Sequence, residues 1–236
     1  MSARFEQLTW AETPMGILGL RRRLEPTRQI DIYEVKLGEE FLMSSLFTVA
    51  EIELARLGLA ARAGTDLDVV VGGLGLGYTA RAVLEDPRVR SLTVVEALEE
   101  VVDWHERNLL PDVAGLATDP RTTLVHGDFF VLADSAAGFD AGEPDRRFDA
   151  VLLDIDHTPR HVLHPSHTAF YTAAGLRRLA RHLQPGGVFA LWSDAPPDGD
   201  FLGVLSEVFA LAEPHVVTFP NPHTGGESAN TVYVAS

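Results

Sequence analysis

Apolar runs of five or six residues recur through most of the chain, each followed by a polar turn and then a stretch with helical spacing. LDVVV (67–71), SLTVVE (91–96), TTLVH (122–126), DAVLLD (149–154) and VFALW (188–192) read as strands. Their apolar, β-branched character is what a parallel strand covered on both faces requires. Between them, 78–84, 98–109, 167–183 and 201–211 carry apolar residues at helical intervals. HVVTF (215–219) and TVYVA (231–235) form a closing pair across the loop PNPHTGGESAN, so the last strand is expected to run antiparallel. Strands alternating with helices predict an α/β fold with a doubly wound, mostly parallel sheet of seven strands.

The opening of the chain has a different pattern. MGILGLRRRL and QIDIYEVKLGEEFLMSS alternate apolar and polar residues and are broken at Pro26 and Gly38, which predicts two or three antiparallel strands. Leu46, Val49, Ala50, Leu54 and Leu57 then fall at helical spacing, with Ser44 or Ser45 as cap and Gly58 as stop. The expected division is an N-terminal β extension over 1–45 and an α/β domain over 46–236. Trp10 and Trp104 are expected to be packing residues, and DSAAGFDAGEPDRRF a surface loop.

Composition narrows the chemistry. The 34 acidic residues outnumber the 19 basic ones, for a net charge of −15. A nucleic-acid partner is therefore not expected, because affinity for phosphate backbones comes from clustered Lys and Arg. A small or cationic substrate fits better. The absence of cysteine excludes disulfides, thiolate nucleophiles and cysteine-ligated metals, and Lys36, the sole lysine, leaves little room for lysine-based covalent catalysis. No apolar stretch has the length of a membrane span, and MSARFEQLTWAE lacks the layout of a secretory signal, so a cytoplasmic location away from membranes is the expectation.

The central chemical signal is VVVGGLGLGYTAR, a buried strand running into Gly72, Gly73, Gly75 and Gly77 and then into a helix. Glycines permit positive φ and let a ligand approach bare backbone. Gly73, Gly75 and Gly77 alternate as G-x-G-x-G, whereas dinucleotide turns place a third glycine one residue later. Glu96 closes the next strand nineteen positions after Gly77, where a carboxylate can accept both ribose hydroxyls of a nucleoside. It can equally cap a helix. Asp128 in HGDFF is placed to receive an adenine amino group, with Phe129 over the ring; the alternative is a helix cap and a core phenylalanine.

Asp154 and Asp156, in LLDIDHTP, end the fourth strand at the rim where open α/β sheets bind ligands. Asp154 is the candidate facing the transferred group. Asp156 shares its face if the strand continues, because alternate strand residues point the same way. His157, His161, His164 and His167 crowd the following loop. Their spacing matches no metal site, and a histidine at the substrate entrance, His157 first among them, is the preferred reading. Trp192 and Asp194 lie on the same rim as a candidate substrate wall.

These motifs together resemble the spermidine synthases. VVVGGLGLGYTARAVLEDPRVRSLTVVEALEEVVDWHERNLLP is similar to that family's cofactor-binding stretch, and the likeness continues through HGDFF, LLDIDHTP and QPGGVFALW. GILGLRRRL, IDIYEVKLGEEFLMSS and AEIELARLGL resemble its small β domain and first helix. The resemblance implies a class I methyltransferase-like, Rossmann-like fold binding S-adenosylmethionine or its decarboxylated form. It also implies that Glu96 holds ribose, Asp128 and Phe129 hold adenine, and Asp154 orients or deprotonates the attacking amine. Homodimers are common in that family and are one expected assembly. Two departures stand out. Gly75 occupies the position of the family's turn aspartate, which pairs with the ammonium of decarboxylated S-adenosylmethionine. The family's Tyr-His-Glu falls on Ala50, Glu51 and Ile52. Methyl transfer from S-adenosylmethionine to a small acceptor is accordingly the leading expectation, with polyamine aminopropyl transfer as the alternative and a non-catalytic nucleoside-binding scaffold as a third.

Overall fold

The structure is a computed structural model, and it describes residues 5–26 and 28–236. Residues 1–4 and Thr27, which belong to the expected N-terminal extension, lie outside the described residues.

The extension contains four antiparallel strands in the order of the chain: β1 (Phe5–Thr13), β2 (Gly16–Glu25), β3 (Ile30–Leu37) and β4 (Glu40–Ser44). Its inner face presents Leu18, Leu20, Tyr33 and Val35 to the main core. β1 escapes the sequence pattern because it is an edge strand with little to bury. Trp10, on this strand, is 67% exposed, contrary to the packing role expected of it, whereas Trp104 is buried as expected.

Helix α1 (Val49–Ala60) leads into the second sheet. It runs past Gly58 rather than stopping there. A Cβ at Gly58 would lie 2.6 Å from Leu152, so this glycine lets the helix press against the sheet. The expected serine cap is also absent; Thr48 holds the N-cap position without a side-chain bond.

From there the chain alternates as β5 (Leu67–Gly72), α2 (Tyr78–Glu85), β6 (Val89–Glu96), α3 (Glu99–Glu106), β7 (Thr122–His126), α4 (Phe129–Asp134) and β8 (Phe148–Leu153). It ends with α5 (Ala173–Ala180), β9 (Leu183–Ser193), α6 (Gly199–Ser206), β10 (Ala212–Asn221) and β11 (Gly226–Ala235). The spatial order is β10-β11-β9-β8-β5-β6-β7. Strands β5 to β9 are mutually parallel, and β11 pairs antiparallel with both β9 and β10. That order, with the last strand inserted antiparallel, is the class I methyltransferase-like arrangement.

Two apolar layers flank the sheet. Val69 and Val71 of β5 face α1 to α3, while Val70 faces the aromatic layer of Phe129, Phe139, Phe148 and Phe189. The segment expected as one helix over 167–183 is a 3-10 turn at Pro165–Ala169 followed by α5. Thr172 separates them by capping Gly175 N–H at 3.2 Å. Among the described residues, no helix is long and apolar enough to cross a membrane.

Candidate active site

The C-terminal ends of β5, β6, β7 and β8 open onto one cavity of about 300 Å³, roofed by the N-terminal sheet. Its floor carries three carboxylates, Glu96, Asp128 and Asp154, around Gly73 and Gly75. Its roof carries Met15, Leu18, Val35, Leu37, Leu42 and Met43, and its side wall includes Ile155, His157, Leu163 and Trp192.

The glycine turn is held by backbone hydrogen bonds. Gly73 N–H donates to Val95 O at 2.9 Å, Asp154 N–H to Gly72 O at 2.8 Å, and Gly77 N–H to Leu74 O at 2.7 Å. Gly73 has φ +91°, and a Cβ there would lie 2.2 Å from the Asp154 carbonyl, so the turn can abut the end of β8 only as glycine. Gly75 packs against Met43, whose sulfur would lie 2.7 Å from an added Cβ. Gly72 and Gly77 do not line the cavity. Gly72 makes room for the Phe129 ring, and Gly77 for the ring of His105, a buried residue that bonds Gly75 O at 2.9 Å. Burial holds the His105 imidazole below its usual pKa and therefore neutral. Of the four glycines expected to meet a ligand, two therefore serve packing.

Glu96 is 9% exposed. Its Oε2 accepts from Leu74 N–H and its Oε1 from Leu98 N–H, both at 2.9 Å. Burial raises its pKa while these backbone bonds oppose the rise. One lone pair on each oxygen remains for a ligand.

Asp128 caps α4 through Oδ1, which accepts from Phe130 N–H at 2.8 Å and Val131 N–H at 3.2 Å. Capping and cavity lining are thus combined in one residue. Phe129, expected over an adenine, lines the cavity while most of its ring is packed in the core. It is 2% exposed, lies beneath Gly72 and stacks on Phe139 at 5.2 Å. Its place at the start of α4 sets the ring between the cavity and the aromatic layer.

Asp154 stands at the centre. Its Oδ2 accepts from Thr79 Oγ1 at 2.6 Å, and burial pushes its pKa up to about 6. Glu51, on α1, is half-buried nearby, and burial together with the Asp154 charge pushes its pKa up to about 8. Glu51 is not among the sequence-derived site residues; its signals are its place as an acid in the first turn of a largely apolar helix and its position within the stretch that matches the family's Tyr-His-Glu.

Asp156 does not join Asp154. Strand β8 ends at Leu153, so the alternation that would have carried Asp156 to the cavity does not extend that far. It is 1% exposed, and its carboxylate accepts from Leu163 N–H at 2.7 Å and Tyr171 OH at 2.7 Å and pairs with His167 Nδ1 at 2.9 Å. It is an anchor for the loop after β8 rather than a catalytic candidate. His167 also stacks on Phe130 at 3.9 Å between ring centroids.

His157 does reach the cavity rim, where Nε2 pairs with Glu40 Oε1 at 2.8 Å and Nδ1 lies 3.8 Å from Asp194. His161 packs on His157, and His164 bonds Ser166. Among the described residues no group of three His, Asp or Glu is placed to hold a metal ion.

The spermine/spermidine synthase domain family matches residues 53–197. A polyamine aminopropyltransferase from Corynebacterium efficiens is 35% identical over 139 residues, covering 58% of this chain and 24% of that protein. Putrescine N-methyltransferase 3 of Nicotiana tabacum is 31% identical over 121 residues, covering 51% of this chain and 28% of that protein. The chain thus spans about a quarter of the length of these two curated relatives. The spermidine synthase structure from Thermotoga maritima superposes with a TM-score of 0.72 over 98% of this chain and 72% of that one. At 16% identity, that likeness is one of fold.

Proposed function

The chain belongs to the spermine/spermidine synthase domain family, and from that premise we propose that it transfers an alkyl group from an adenosyl sulfonium to an amine, the aminopropyl group of decarboxylated S-adenosylmethionine being the first reading. One observation carries it: Asp154, Glu96 and Asp128 end neighbouring strands around a bare-backbone turn, within a single cavity. The aminopropyltransferase relative supports the donor assignment.

When bound, the donor supplies an electrophilic carbon beside a sulfonium, where a C–N bond forms as the C–S bond breaks and its electrons stay on sulfur. Glu96 offers its two free lone pairs to the ribose hydroxyls. Asp128 offers Oδ2 to the adenine amino group. Asp154, held by Thr79, orients the attacking nitrogen and takes its proton, and its pKa near 6 leaves it ionised for that task at neutral pH. The composition fits a cytoplasmic enzyme acting on a small molecule rather than on nucleic acid.

Methyl transfer from intact S-adenosylmethionine is the second reading, and a specific feature favours it. At Gly75, where the resembling family carries an aspartate, the neighbouring side chain is the Met43 thioether, which neither attracts an ammonium nor repels a carboxylate. Calorimetric titration of each donor separately decides the order. Tenfold tighter binding of the decarboxylated form supports the first reading, the reverse preference establishes the second, and binding of neither overturns both.

A further inference from the structure

The cavity has carboxylates on one side only. The carboxylates that line it, Glu96, Asp128 and Asp154, all rise from strand ends of the parallel sheet, and the six roof side chains are uncharged and apolar. Two of the carboxylates already receive backbone N–H groups, on the β6 and β7 side of the glycine turn. That leaves Asp154 to face the reacting nitrogen. Beyond it lie Ile155, Leu163 and Trp192 on the wall and Leu37 and Leu42 on the roof. Three histidines also line this side, each with a partner of its own: His157 pairs with Glu40, His164 bonds Ser166, and His167 pairs with the buried Asp156.

A diamine bound with one nitrogen at Asp154 would carry its second ammonium to a wall and roof whose lining offers no carboxylate to pair with it. A charge taken from water without a partner is costly, whereas a hydrocarbon chain in the same place gains from burial. We infer that the acceptor is an amine with a single positive charge carried on an apolar body. The inference rests on the alkyl-transfer reading for its reaction. Asp154 takes one proton from the bound ammonium, the neutral nitrogen so formed makes the bond to the donor carbon as sulfur leaves with the C–S electron pair as a neutral thioether, and the product departs as a secondary ammonium.

The test compares n-hexylamine with 1,6-diaminohexane, which have the same carbon chain and differ at the far end by one ammonium. Each is titrated calorimetrically into the intact protein saturated with 5′-methylthioadenosine, and again without it. Hexylamine is expected to bind at least tenfold more tightly. Equal or tighter binding of the diamine overturns the inference, and so does binding of neither amine. Titration of 5′-methylthioadenosine alone separates this failure from that of the reaction. Nucleoside binding with diamine preference removes the apolar acceptor and leaves alkyl transfer standing. Hexylamine preference without nucleoside binding removes alkyl transfer and leaves the apolar cavity. Leu37→Asp places a carboxylate in the roof and is expected to shift the hexylamine-to-diamine affinity ratio at least tenfold toward the diamine. An unchanged ratio in a variant whose melting temperature shows it to be folded contradicts the account.

Discussion

The floor and the roof of the cavity are built on opposite principles. The floor is made of strand ends whose polar groups are fixed by hydrogen bonds: Glu96 by two backbone N–H groups, Asp128 by the start of α4, Asp154 by Thr79. The roof is an antiparallel sheet whose cavity-facing side chains are apolar. A preorganised floor can discriminate polar groups one at a time, whereas an apolar roof selects by shape and by the absence of charge. The floor should therefore decide which nucleoside binds, and the roof what accepts the transferred group.

The sharpest break in this comparison is Asp154→Asn. Turnover is expected to fall about 10²- to 10⁴-fold, the range for loss of a positioned base, with nucleoside affinity changed only a few-fold. Steady-state rates beside a nucleoside titration check it. A comparable loss of both would make Asp154 part of the nucleoside site.

Next in size is Gly73→Ala. Its Cβ would collide with the Asp154 carbonyl at a positive φ, so a loss of about 3 kcal/mol or more is expected in denaturant unfolding. The roof position Leu42→Ala, which is only partly buried, should lose less.

The buried acids give a pH signature. Folding raises the Glu51 carboxyl from its usual range to about 8, so between about 4.5 and 8 the native chain holds its proton more firmly than the unfolded chain. Stability should consequently be full below that window and decline as pH rises through it. Asp154 adds a smaller decline toward pH 6. Glu51→Gln should flatten the slope, gaining on the order of 2 kcal/mol over wild type at pH 8.5 and nothing at pH 5, as read by melting curves at both values.

The smallest effect is expected at the rim. Glu40 is exposed, so Glu40→Gln, which weakens its pairing with His157, should change stability by less than about 1 kcal/mol. A larger loss would mean that this contact clamps the roof to the floor.

The floor was legible in the sequence because its elements obey strong local rules. β7 spans the same residues as TTLVH, and each of the other parallel strands overlaps its apolar run. The glycine turn and the acids at the strand ends follow directly from those boundaries. Tertiary packing decided the rest. The expectation for Asp156 requires a strand reaching three residues beyond the end of β8 at Leu153. Phe129 combines the two readings its position allowed, lining the cavity while stacking on Phe139 in the core. Gly58 resembled a stop signal because sequence does not reveal the Leu152 side chain beneath it. Glu51 was hidden for a related reason: its partner Asp154 is distant along the chain, and Thr79, which contacts both the Glu51 carbonyl and the Asp154 carboxylate, belongs to a third element.

The most direct test of the floor's role is a calorimetric titration of 5′-methylthioadenosine into the wild-type chain and Glu96→Gln, which keeps one acceptor for the backbone but removes the charge. One nucleoside per chain should bind the wild type, with affinity at least tenfold weaker in the variant. Absence of binding to wild type, or equal affinity for both proteins, would contradict the placement of a nucleoside on this carboxylate.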